Sequence, residues 1–320
     1  MVANCFAEKS TNTLAKRASS ITLFLKWVEV NGVDLNDAMT EAGVYNYVEY
    51  LRAAGAPATR GRSFIEAVFF CKGALGLHVP EGLAASARVR GAVARSWERK
   101  RLTKKAPPIK VKHVSLMETL ACTADTHTRV VAGYLCYLIH ARGRCGDVAR
   151  ITREPVLDSV VEDGCGFLEV VADAVKTTRG ERKRRLGFPV VALEWGVGSA
   201  PWAPAWLQAR ADAGLNANVD RMLMPAVGLG ASFSKGIAMT ANQTTDIMRH
   251  MLVRGGAAAI EVEAYTSHSC KATVLSWMAK AGVKIADRRL LGGHAKPGEF
   301  TTLEYSRDAL AGPLAAVANV

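Results

Sequence analysis

Pro155-Val-Leu-Asp-Ser-Val-Val161, Glu162-Asp-Gly-Cys-Gly166 and Phe167-Leu-Glu-Val-Val-Ala172 run on from one another, and this stretch decides the fold. Two short runs rich in β-branched and apolar residues flank five residues of turn chemistry, the pattern of a β-hairpin. A further strand reads from Arg184 to Leu193, so a small antiparallel sheet is expected here. On either side the period changes to that of helices. Leu116 and Leu120, then Val131, Leu135 and Leu138, repeat at helical spacing upstream. Downstream, helices are expected from about Met239 to Met251, Thr266 to Ala281 and Ile285 to Leu291. Trp195 to Met222, with three tryptophans, reads as an elaboration whose rings pack locally.

The first hundred residues carry helical spacing alone. Leu14, Ala18, Ile21, Leu25 and Val28 fall on one face of a helix. Val44, Val48 and Leu51 repeat the pattern, as do Phe64, Val68, Cys71 and Leu75. Asn31-Gly32 and Gly55-Ala56-Pro57 punctuate them as turns. The expected fold class is therefore mainly α with a small antiparallel β-sheet, an α+β chain. Its expected divisions are a helical domain over 1–101, a basic linker over 102–112 that contains Pro107-Pro108, and a mixed domain over 113–320.

Length and composition agree with two domains. The chain has 320 residues, 49% hydrophobic and 22% charged, which is ordinary globular composition. Its formal net charge is +12, unevenly placed. From Arg88 to Lys112 there are ten basic residues and one acid, Glu98. From Lys176 to Arg185 there are six against Glu181. Two cationic stripes on a nearly neutral body imply a polyanionic partner.

Other classes are excluded. The apolar run Val130 to Ile139 is too short to span a bilayer, which takes about 20 residues. The N-terminus lacks a basic-then-apolar signal arrangement, so secretion is not expected. Seven cysteines without CxxC spacing read as buried, reduced thiols. Gly228-Leu-Gly230 with Lys235-Gly236 lacks the GxxxxGK order of a phosphate loop, and the histidines and cysteines lack zinc-ligand spacing. No metal and no cofactor are expected.

What remains is an ordered polar series. Arg144 stands in Arg142-Gly-Arg-Cys-Gly-Asp147 at a helix-to-strand transition, and Lys176 in the turn before the third strand. His268-Ser-Cys-Lys271 opens a helix after a capping Thr266-Ser267. Gly292-Gly-His294 ends another, and Tyr305 follows eleven residues later. Cations, two histidines and a tyrosine suit phosphoryl transfer. A phenol can attack phosphorus, cations stabilise its equatorial oxygens, and the others move protons.

This series resembles the tyrosine recombinase (phage integrase) family. That family orders an Arg box, a Lys in a β-hairpin, an H-x-x-R box, a G-H box and a nucleophilic Tyr. Here the boxes read Gly143-Arg144-Cys-Gly-Asp147, Lys176-Thr-Thr-Arg179, His268-Ser-Cys-Lys271, Gly293-His294 and Thr301-Thr302-Leu-Glu-Tyr305. The N-terminal helices and the basic connector resemble the family's core-binding domain and linker. One box departs: Lys271 stands where the family has arginine, keeping the charge but losing the planar fork.

The resemblance implies a site-specific recombinase acting through a 3′-phosphotyrosyl link. Tyr305 would be the nucleophile, with Arg144, Lys271 and His294 on the non-bridging oxygens. His268 would handle the nucleophile's proton, Lys176 would protonate the departing 5′-oxygen, and Asp147 would orient a neighbour such as His268. Arg99, Lys100, Arg101, Lys104, Lys105, Lys110 and Lys112, with Arg179, Arg182 and Lys183 of the hairpin, would hold DNA phosphates. The partner is double-stranded DNA, bound by a dimer to tetramer, without a membrane. The expected place is the cytoplasm or nucleoid of a bacterium, or a eukaryotic nucleus. The apolar tail containing Leu310 and Leu314 would pack on its own domain or on a neighbouring protomer. Two other readings stay open: a catalytically impaired DNA-binding protein on the same scaffold, and a type IB topoisomerase-like enzyme.

Overall fold

The computed structural model describes residues 6, 11–79, 83, 86–99, 105–158, 166–172, 188–215, 222–293 and 314, the side chain of residue 235 excepted. The chain divides into two compact units, Met1–Lys104 and Lys105–Val320. The architecture is mainly helical with small antiparallel sheets, as the periodicity predicts.

Among the described residues, the first unit contains α1 (Thr11–Asn31), α2 (Leu35–Ala38), α3 (Glu41–Ala53), α4 (Arg60–Leu75) and α5 (Ala87–Glu98). Asp34, Thr40 and Ser86 cap α2, α3 and α5 through side-chain oxygens that accept backbone N–H groups. The inward stripe of α1 departs from the expected one. Ser20, Phe24 and Val28 are buried, whereas Leu25 is exposed and so is Ala18. Aromatic area explains the rotation. Phe24 lies 4.7 Å from the Phe64 ring and 5.1 Å from Tyr47, centroid to centroid. Burying that ring outweighs burying one leucine. Ser20 is accommodated because its hydroxyl donates to the Lys16 carbonyl.

In the second unit, α6 (Val111–Thr123) and α7 (Thr126–His140) precede a single-turn α8 (Cys145–Val148). Of the expected connector, residues 105–112 lie in this unit, with Ile109 buried and Val111 already helical. Strands β1 (Val156–Asp158), β2 (Phe167–Ala172) and β3 (Phe188–Leu193) form one antiparallel sheet in that order. Val156 pairs with Glu169, and Phe167 with Leu193. Along β2 the side chains of Leu168, Val170 and Ala172 are buried and their neighbours half-buried, the alternation a one-sided core demands.

After the sheet comes α9 (Trp202–Asp212). The hairpin of β4 (Pro225–Val227) and β5 (Phe233–Ala238) turns through Leu229–Ala231. Then come α10 (Ala241–Arg254), α11 (Ala259–Val262), α12 (Ser267–Lys280) and α13 (Ile285–Leu291). Gly228-Leu-Gly230 thus belongs to a hairpin turn, with Gly230 at a φ of +68°.

Helix α7 is the axis of this unit: Val130 through His140 are all buried. A helix apolar on every side is surrounded by other elements. The stretch expected as an elaboration supplies one of them. Trp202 and Trp206 of α9 are fully buried, and the Trp206 indole donates to the Val130 carbonyl at 2.9 Å. A Cβ on Gly133 would come within 2.2 Å of the Trp206 ring, so this contact requires glycine. The two tryptophans are core rather than ornament because α7 offers them an apolar wall. Leu314, from the C-terminal tail, is buried in the same core.

Candidate functional site

The helical axis ends in a tight reversal that carries the first candidate. Arg142 takes a φ of +51°, sparsely populated for a residue with a Cβ. The surroundings hold it there. Its guanidinium donates to the carbonyls of His140, Val191 (2.9 Å) and Leu291 (3.2 Å). One side chain therefore ties together the end of α7, strand β3 and the end of α13. Burial pulls its pKa down to about 10.

Arg144 follows, at the N-cap of α8, half-buried, with Nη1 3.7 Å from the Asp147 carboxylate one turn on. Lys271 reaches the same place from α12. Its Nζ donates to the Gly292 carbonyl at 2.7 Å. Burial lowers its pKa to about 8; Arg144 and Arg142 add to that, and Asp147 opposes it. Gly293 turns at a φ of +63°, with the Phe188 ring 3.1 Å from where a Cβ would stand. A larger residue would therefore strain both the backbone and that contact.

Gly143, Arg144, Asp147, Phe188, Lys271 and Gly293 line one small pocket. Among the described residues its charged groups are Arg142, Arg144 and Lys271 against Asp147, an arrangement that favours a bound anion. Arg144 can present a fork to two oxygens of a phosphate, and Lys271 a point charge. His268 lies three residues before Lys271 on α12, exposed, in the turn that Thr266 caps. Residues three apart share a helix face, so His268 lies beside the lysine along the helix.

His294, Lys176 and Tyr305 lie outside the described residues, as do Lys100, Arg101, Lys104, Arg179, Arg182 and Lys183. Arg99 is exposed at the end of α5 in the first unit, and Lys105 is exposed at the start of the second. Lys110 and Lys112 have a protein partner already. Both ammonium groups sit on Glu261, at 2.9 and 2.8 Å. His113 Nε2 is 3.3 Å from the same carboxylate. The two lysines hold the Glu261 carboxyl down to about 2. Tyr265 completes the cluster, its hydroxyl accepting from the Lys110 backbone and meeting His113 Nδ1 at 3.1 Å.

Two of these residues escaped the reading of the sequence. Arg142 stood inside a recognised box without a role; an arginine ending a wholly apolar helix was the available signal. Glu261 carried none, since its partners lie far away in the chain. Among the described residues no three His, Cys, Asp or Glu side chains gather as metal ligands would. No described helix is long and apolar enough to cross a membrane.

No protein-family model and no curated protein matches this chain. Among solved structures, the chain is similar to the crystal structure of XerA recombinase, with a TM-score of 0.39 and 14% identity over 92% of this chain and 91% of that one. It is also similar to the Tn1549 transposon integrase, residues 82–397, in complex with circular intermediate DNA. There the TM-score is 0.45 and the identity 12%, over 89% of this chain and 94% of that one.

Proposed function

We propose that this protein is a DNA strand transferase of tyrosine recombinase type, which cleaves and rejoins duplex DNA through a 3′-phosphotyrosyl link. One observation carries the reading. Arg144 and Lys271, far apart in sequence, meet at a single anion-favouring pocket whose wall includes Gly292-Gly293, directly before His294. Two boxes recognised separately in the sequence thus converge in space, and a third begins at their edge.

In this reading Tyr305 attacks the scissile phosphorus, while Arg144, Lys271 and His294 stabilise the charge that builds on the non-bridging oxygens. His268 receives the phenol proton. Asp147 steadies Arg144, its neighbour at 3.7 Å. The phosphotyrosyl bond conserves the energy of the diester, so religation needs no nucleotide hydrolysis. The first unit and the two cationic stripes would hold the duplex, mainly through phosphates. Exchange between two duplexes would call for a dimer or tetramer on DNA.

The experiment is a capture assay. Full-length protein is incubated with a library of nicked duplexes, in which cleavage near the nick releases a short strand and traps the adduct. Denaturing gels should then show a covalent protein–DNA species, and sequencing of the trapped strands should give the site. Binding without any adduct would replace this reading with that of a DNA-binding protein. Adducts accompanied by relaxation of supercoiled plasmid, without recombinant products, would favour the topoisomerase-like enzyme.

Affinity should also respond steeply to salt. With six phosphate contacts, binding is expected to weaken roughly 10³-fold between about 50 and 200 mM monovalent salt. A flat plot of log affinity against log salt, measured by fluorescence anisotropy, would refute phosphate-based binding.

A further inference from the structure

We propose that Lys271 is the proton donor to the departing 5′-oxygen, a role beyond charge stabilisation; the inference rests on the strand-transferase reading above. The geometry is what points to it. An ammonium carries three N–H groups. In Lys271 one of them is spent on the Gly292 carbonyl at 2.7 Å, which fixes the head group at the pocket wall. Among the described residues no other acceptor takes its N–H groups, so two remain to serve a phosphate seated beside Arg144.

A guanidinium at this position could bind the same oxygens but would keep its proton at any pH at which DNA is handled. The ammonium can release one. Its charged neighbours are Arg142 and Arg144 from the reversal after α7, which push the proton off, and Asp147 of α8, which opposes them. The result of burial and these charges, a pKa near 8, lies close to working pH, where a general acid is most effective. The exchange of arginine for lysine in this box thereby adds a function that arginine lacks.

The step balances. Tyr305 Oη forms a bond to phosphorus as its proton passes to His268. The bond from phosphorus to O5′ breaks, and its electron pair takes a proton from Lys271 Nζ. Lys271 is left as a neutral amine and His268 as an imidazolium. On religation the amine recovers a proton from the attacking 5′-hydroxyl, and His268 returns one to the phenol. Lys176, to which the family resemblance gives the acid role, is then a phosphate contact of its hairpin.

The test compares leaving groups on the duplex recovered by adduct capture, made with either oxygen or sulfur at the bridging 5′ position. A thiolate leaves without a proton, so loss of the acid no longer matters. Lys271→Arg, which keeps the charge, is expected to slow cleavage of the oxygen substrate roughly 100-fold and to cleave the sulfur substrate at nearly the wild-type rate. Lys176→Ala should be slowed alike on both. The wild-type rate on oxygen should fall above a pH of about 8, and that limb should vanish with sulfur. The proposal is overturned if Lys271→Arg cleaves the oxygen substrate as fast as wild type. It is equally overturned if both substrates slow together, or if sulfur rescues Lys176→Ala instead. A capture assay in which wild-type protein traps no duplex at all defeats the strand-transferase reading itself, before any leaving group is compared.

Discussion

Tyr305→Phe is expected to eliminate the covalent protein–DNA adduct while leaving duplex affinity unchanged. Removing a covalent nucleophile costs on the order of 10⁶-fold in rate, the largest effect expected of any single substitution here. Of the other tyrosines, four are buried. The chain has seven. Tyr134 and Tyr137 are fully buried on α7, and desolvation raises both hydroxyls well above the ordinary phenol range. Tyr265 is buried and engaged with the Lys110 backbone and His113. Tyr47 is packed between Phe24 and Phe64 in the first unit, its pKa pushed by burial to about 12. Tyr45 lies under the Arg88 guanidinium at 4.0 Å, and Tyr50 is the exposed one of that unit. Phenylalanine at positions 45 and 50 should therefore leave the adduct intact. Peptide mapping of trapped DNA should find it on Tyr305, and an adduct surviving Tyr305→Phe would refute the nucleophile.

The second large effect concerns stability. Glu118→Ala is expected to destabilise the second unit by about 3–5 kcal/mol, since it leaves three buried hydrogen-bonding groups without their acceptor at about 1–3 kcal/mol each. Glu118 is fully buried on α6. Its carboxylate meets His140 Nε2 at 2.9 Å and accepts the backbone N–H groups of Val197 and Gly198, each at 3.0 Å. Alanine would strand an imidazole and two amides without water to replace the carboxylate. The damage would not stay local, because His140 stacks on Trp202 at 5.4 Å, and Trp202 is part of the wall around α7. For a unit of this size the midpoint should fall by roughly 10 °C or more. Calorimetry of the full chain checks this; a shift under about 2 °C would mean that the cluster contributes little.

How far the sequence could be read follows from what kind of signal each element leaves. Helices α7, α10 and α12 show in the spacing of apolar residues, because each presents a periodic face. The sheet of β1 to β3 shows because its turn chemistry interrupts two β-branched runs. The orientation of α1 was misread since apolar residues of different size were weighed alike, whereas Phe24 and Trp27 set the buried face. The β4–β5 hairpin was missed because Pro225–Val227 is too short to alternate. Arg144 and Lys271, which the sequential order of boxes singles out, do line one pocket, though their chemical role rests on the proposal. Arg142 and Glu261 were not legible, because their partners are carbonyls or cations brought near only by folding.

The brace made by Arg142 has a consequence for how this pocket tolerates change. His140, Val191 and Leu291 each offer it only a carbonyl oxygen, which any amino acid supplies. Substitutions at those three positions leave the acceptors where they are, so this join places no demand on their identity. The donor has no such freedom, since no other side chain delivers a rigid planar fork to three acceptors at once. For this join alone, tolerance is therefore lopsided, broad at the three acceptors and narrow at Arg142. Relatives of this protein can drift far in the residues that surround the site and still keep its shape.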